Sequence, residues 1–338
     1  TSTIERMSRG AGPPSVSGLD PARVVPGARF SIVGSRLPLG DVPSGVTVGG
    51  RAALVVFASG ERLIVEAPDP LEGGPTDVQL AALPGTLAVL DVGTLLATGF
   101  HQVDSPVIDR AGRSYATYSG ARGQEVAVSI FRIDPAGVRE PLVSGIVNAT
   151  SMALDREATL YVSSRFAGTV SKVFDDGRFE VVGSGLGRAC GLAFAPDGTL
   201  FVGDRSGTIF HLDLKGATRT FASLPPSVAA FHLAMGPDQA LYVTAPTLAP
   251  RDRVYRLNAS GHVESLAATF GRPQGLAFSP DGVLHIVEAL AGWNGVYRVR
   301  PDLAPELVVA GRSLIGITFS PAGEMVVASD ESLYGFAI

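Results

Sequence analysis

The chain predicts an all-β protein, a small β-sandwich followed by a six-bladed β-propeller of four-stranded blades. Two observations carry the propeller. A phrase recurs along the chain: "GRACGLAFAPDG" at residues 187–198, "GRPQGLAFSPDG" at 271–282 and "GRSLIGITFSPAG" at 311–323. Six apolar runs also follow one another at nearly constant spacing. Their markers Tyr115, Tyr161, Phe201, Tyr242, His285 and Val326 are 46, 40, 41, 43 and 41 residues apart. A third observation sets the sandwich apart: the period is absent before residue 85.

Each repeat reads as strand, tight turn, strand, loop, strand, turn, strand. Blade three spells it out as "CGLAFAPDG", "TLFVGDRSG", "TIFHLDLKG" and "ATRTFASLP". Pro-Asp-Gly is turn chemistry, because Pro presets φ and Gly tolerates positive φ. Alternating runs between such turns are strands. Repeats of about 40–50 residues with four strands are propeller blades. The last repeat ends at "ESLYGFAI", one strand short, so an outer strand from residues 85–99 is expected to complete it. Closure from both ends hides strand edges that would otherwise pair with other chains. Residues 1–12 read as a tail. Residues 13–84 carry short alternating strands, with Phe30, Ile32, Val46, Val48, Val55, Ile64 and Val65 as candidate core. Ile64 and Val65 cannot both face inward on an unbroken strand.

Composition narrows the function classes. Hydrophobic residues make up 46% of the 338 and charged residues 17%, which supports a sizeable core rather than disorder. The net charge of −5 disfavours nucleic acid as a partner, since a general phosphate-backbone binder carries a basic face. The single cysteine, Cys190, allows no intrachain disulfide and no CxxC motif. No apolar run is long enough to span a membrane. An extracytoplasmic location is expected if a leader preceded Thr1, and a cytoplasmic one otherwise. The sequence shows no HExxH, Walker A, G-x-S-x-G or EF-hand signature.

Two families resemble these patterns. The order "PPSVSGLDP", "PGARFSIVGSRL", "VTVGGRAA" and "LIVEAP" in residues 13–84 resembles the IPT/TIG domain, which implies an immunoglobulin-like sandwich. The repeats of residues 85–338 are similar to NHL-type and SMP-30/gluconolactonase-like six-bladed propellers. In SMP-30-like lactonases, Asn and Asp at the mouth of the central channel hold a divalent cation. Aligning the blades places Asp104, Thr150, Cys190, Phe231, Gln274 and Ile315 at that mouth. A hard cation wants several oxygen ligands, carboxylates above all. One carboxylate among six does not reproduce the lactonase set, so no metal and no cofactor is expected. A divalent cation enters only under the lactonase alternative.

Other candidates surround the ring. His232 stands where other blades have Gly191 and Gly275. Arg188, Arg272 and Arg312 occupy one repeat position in blades three, five and six, and Arg165, Arg205 and Arg251 fall in loops opening on the same face. Guanidinium groups around one mouth favour a carboxylate or phosphate. Glu288, at the end of a second strand, is a candidate partner for Asp104, or else a loop anchor like Asp204 and Asp330. Trp293, in a long loop, could stack on a sugar or peptide. The expectation is a binding protein for a small-molecule, carbohydrate or protein ligand, an anion, sugar or peptide among them. An SMP-30/gluconolactonase-like hydrolase with an altered site is the alternative.

Overall fold

The computed structural model describes residues 13–38, 45–229, 231–289 and 294–337. Residues 1–12, read as a tail, and Trp293 lie outside them. The chain forms two compact units, Thr1–Val92 and Gly93–Ile338.

In the first unit, the strands Ser15–Asp20, Arg29–Ser35, Arg62–Glu66 and Leu54–Ala58 form one antiparallel sheet in that order. Gly74–Leu80 pairs with both Leu83–Val92 and Val46–Val48 in a second sheet. Inward residues alternate along each strand. Phe30, Ile32, Leu63 and Val65 are buried in the first sheet, and Val46, Val48, Val78, Leu80 and Leu90 in the second. Of the expected core, Val55 and Ile64 are only partly buried. Leu63 and Val65 take the inward places, and the period of two leaves Ile64 on the other face. The unit also runs past residue 84, because "LPGTLAVLDV" is one strand that pairs with Gly74–Leu80.

The second unit is a β-propeller. Six four-stranded antiparallel sheets follow in order among the described residues. All six sequence markers sit second in the second strand of their blade, from Tyr115 in Ser114–Thr117 to Val326 in Met325–Ser329. The first strands form a ring: each lies against the first strand of the next blade, and Leu314–Phe319 lies against Val107–Ile108. Blade six takes its outer strand from the start of the unit, where Thr94–Thr98 pairs antiparallel with Ser332–Phe336.

The invariant glycines of the recurring phrase explain how the ring packs. A Cβ on Gly275 would stand 2.6 Å from the carbonyl oxygen of Ile315, and one on Gly191 would stand 2.5 Å from that of Phe231. Real side chains do not tolerate such distances. Glycine there lets neighbouring first strands approach around the axis.

Candidate functional site

Four first strands share a defect that builds the site. Their pairing with the second strand shifts register between Ala149 and Met152, Ala189 and Gly191, Pro273 and Leu276, and Leu314 and Gly316. Thr150, Cys190, Gln274 and Ile315 each fall in the resulting bulge. A bulge leaves a residue out of the ladder and re-aims its side chain, a device common beside functional sites. The backbone enters three of these bulges left-handed. Asn148, Arg272 and Ser313 have φ of 49°, 56° and 54°, each two residues before the bulged one, and Gln102 has 55° two before Asp104. In blade three the left-handed residue is Gly187, at 60° and three residues before Cys190. Non-glycine residues in this region store strain of order 1–3 kcal/mol each, which the surrounding structure must offset. Asn148 shows how: its buried side chain accepts from Gly123 N–H and donates to the carbonyls of Ser119 and Ala121.

The result is a cavity of about 680 Å³ whose wall includes Asp104, Thr150, Cys190, Gln274 and Ile315. Arg122, Arg165, Arg188, Arg205 and Arg272 also line it, against two carboxylates, Asp104 and Asp330. Two arginines are occupied. Arg165 donates to Gln102 Oε1 at 2.7 Å, and Arg205 donates to the carbonyls of Ser227 and Val228. The guanidinium groups of Arg122 and Arg188 have no hydrogen-bond or ion-pair partner among the described residues, and Arg272 Nε is buried without one.

Asp104 is 8% exposed. Its Oδ1 stands 3.4 Å from His232 Nε2, and its Oδ2 has no hydrogen-bond partner among the described residues. Burial pushes its carboxyl above the usual carboxylate range, against the opposing pull of His232 and Arg165. His232 Nδ1 faces Ser105 Oγ at 3.5 Å. The Cys190 thiol is pushed up to about 12, by burial first and by the charge of Asp104 second. It is a poor nucleophile in that state.

Several candidates fall elsewhere. Phe231 is fully buried and packs in an apolar cluster with Cys190 and Leu233. The reason is register: His232–Met235 pairs with Leu241–Thr244 without a bulge, so the ring position turns into the core. His232 is not on the cavity wall but stands behind Asp104. Glu288 is buried and accepts the N–H of Gly271 at 2.9 Å, a loop anchor away from the cavity wall. Arg312 is exposed and does not line the cavity either, since the left-handed turn at Ser313 presents the next residue instead. Arg251 donates to Thr269. Sequence reading missed Ser119, Arg122 and Phe166, which lie in blade-one and blade-two loops with no counterpart in the recurring phrase.

Among the described residues, no group of three or more His, Cys, Asp or Glu side chains could hold a metal ion. No helix there is long and apolar enough to cross a membrane.

No protein-family model matches the chain, and no curated protein matches it in sequence. Solved structures are similar to it in fold. A protein of unknown function from Bacteroides thetaiotaomicron VPI-5482 is 14% identical, with 96% of this chain and 98% of that one covered and a TM-score of 0.60. An auxiliary nutrient binding protein from the same organism is 13% identical over 96% and 98%, with a TM-score of 0.55. A candidate gluconolactonase is 18% identical over 72% of this chain and 90% of its own, with a TM-score of 0.57. At such identities the likeness is one of fold, and the fold is that of a β-propeller.

Proposed function

We propose that the propeller is a binding module whose channel mouth takes a small anionic molecule, a carboxylate or a phosphate ester. The carrying observation is five arginines on one cavity wall, three of them with guanidinium N–H groups unclaimed by the protein. Guanidinium groups match carboxylate and phosphate in shape and charge. A cavity of 680 Å³ is of a size to enclose a small molecule. The fold likeness to an auxiliary nutrient binding protein is compatible with this role. A sugar or peptide would be held through its acidic groups.

Thermal denaturation tests the reading. Millimolar citrate or phosphate is expected to raise Tm above that in chloride of equal ionic strength, because a ligand that binds only the folded state stabilises it. A Tm that follows ionic strength alone would overturn the proposal. The lactonase alternative has only fold likeness behind it. Calcium and zinc titrations test it, and no micromolar binding is expected.

We read the first unit as the immunoglobulin-like sandwich that its IPT/TIG resemblance implies, a spacer or second contact surface. Two sheets with alternating inward residues support this. Expressing residues 93–338 alone tests its independence, and a folded propeller is the expected result.

A further inference from the structure

Buried polar groups are nearly always hydrogen-bonded, and each exception asks for an explanation. Six buried side-chain atoms lack a hydrogen-bond partner among the described residues. Three of them, Asp104 Oδ2, Ser119 Oγ and Arg272 Nε, belong to residues of the one cavity wall. The Gln274 amide, in a residue 7% exposed, likewise makes no hydrogen bond to a described residue. These groups differ in kind. Arg272 Nε–H only donates. Ser119 Oγ and the Gln274 amide both donate and accept, and Asp104 accepts when ionised and donates as well when protonated.

We infer that Asp104 is a specificity-determining residue, which selects anions that also carry a hydroxyl or another neutral hydrogen-bonding group. The inference rests on the anion-binding reading above. The arginines would take the anionic end, whatever else the ligand carries. Asp104 would take the second group. A second anionic group is disfavoured beside a carboxylate, and an ammonium among the five arginines of the wall. A neutral hydroxyl suits both states of Asp104, since it can donate to the carboxylate or accept from the acid. Asp104 lines the cavity with a side chain 12% exposed, and neither of its oxygens is claimed: Oδ2 is buried without a partner, and Oδ1 stands 3.4 Å from His232 without a hydrogen bond to it. The groups facing Asp104 come from three other blades: Arg165 in blade two, Cys190 in blade three and His232 in blade four.

Matched pairs of ligands test this on the full chain. Succinate and malate differ by one hydroxyl, as do tricarballylate and citrate. Calorimetric titration is expected to favour malate and citrate over their partners by about tenfold, the worth of one hydrogen bond to a group otherwise left unpaired. Asp104→Ala should abolish the preference, with succinate and tricarballylate bound at least as tightly as by wild type, because a carboxyl group that repels anions leaves the wall. Arg188→Ala should weaken both members of each pair alike. Equal wild-type binding within each pair would overturn the inference and leave anion binding standing. So would a loss in Asp104→Ala shared equally by both members. No binding of any of the four would overturn the anion reading, and the inference with it. If Asp104→Ala does not fold, Ser119→Ala and Gln274→Ala decide: both should keep the preference, and its loss in either would assign it to that residue and overturn the inference.

Discussion

Two aspartates near the channel mouth show how a structural carboxylate differs from one left for a ligand. Asp204, after the second strand of blade three, accepts the N–H of Arg188 at 2.8 Å, the N–H of Ser206 and the Ser206 hydroxyl. It ties down the turn that follows it and the segment entering the first strand of its own blade. Asp104, before the first strand of blade one, has a histidine at 3.4 Å and one oxygen with no partner. Both are buried. What separates them is hydrogen-bond saturation. A saturated carboxylate spends its interactions on the fold, whereas an unsaturated one is held by the fold at some cost and keeps its capacity for something else.

The largest expected effect follows from Asp204. Asp204→Ala would orphan two part-buried N–H groups and a hydroxyl, and should cost about 1–3 kcal/mol of stability in denaturant titration. The same change at Asp104 should stay within about 0.5 kcal/mol, because it strands no donor that Asp104 satisfies. Equal losses at the two sites would erase the distinction.

A smaller effect, in pH, has opposite signs at two carboxylates. Burial holds the Asp104 carboxyl above its ordinary value of 3.8. Its contribution to stability is therefore complete below that value and is lost as pH rises through its folded pKa. Asp104→Asn should thus be more stable than wild type at neutral pH, with the gap closing on acidification. Asp109 is shifted the other way. Burial raises it, but bonds from the Arg113 backbone and guanidinium, the Tyr115 hydroxyl and the Ala111 N–H outweigh that and hold it below 3.8. Its contribution is present above that value and lost as pH falls through its folded pKa, so Asp109→Asn should be the less stable protein at neutral pH. Denaturation midpoints measured between pH 4 and 8 for both variants check the two signs.

The blades were legible because their signals are local. Turn residues and alternating apolar runs placed every second strand, and a missing strand at the C-terminus pointed to a closing partner that Thr94–Thr98 supplies. The site was legible in part. Thr150, Cys190, Gln274 and Ile315 could be aligned, but the bulges that turn them to the channel leave no mark in composition. Phe231 aligns with them equally well and faces the core, since its strand lacks the bulge. Arg122 and Ser119 come from a loop whose path depends on the buried side chain of Asn148, a contact across 25 residues or more. In sequence Glu288 reads equally as a partner for Asp104 or as a loop anchor, and the N–H of Gly271 that it accepts shows that it is spent on the fold.

Saturated and unsaturated arginines permit the most direct test of the central claim, that unclaimed groups at the channel mouth bind an anion. Arg298 donates to both carboxylate oxygens of Glu306 on the surface, whereas Arg188 and Arg272 keep free donors at the cavity. Citrate would be titrated calorimetrically into wild type, Arg188→Ala/Arg272→Ala and Arg298→Ala at one ionic strength. The double variant should bind at least about tenfold more weakly, as loss of charge-assisted hydrogen bonds requires, and Arg298→Ala should match wild type. A double variant that binds citrate like wild type, or an Arg298→Ala protein that loses as much, would contradict the account.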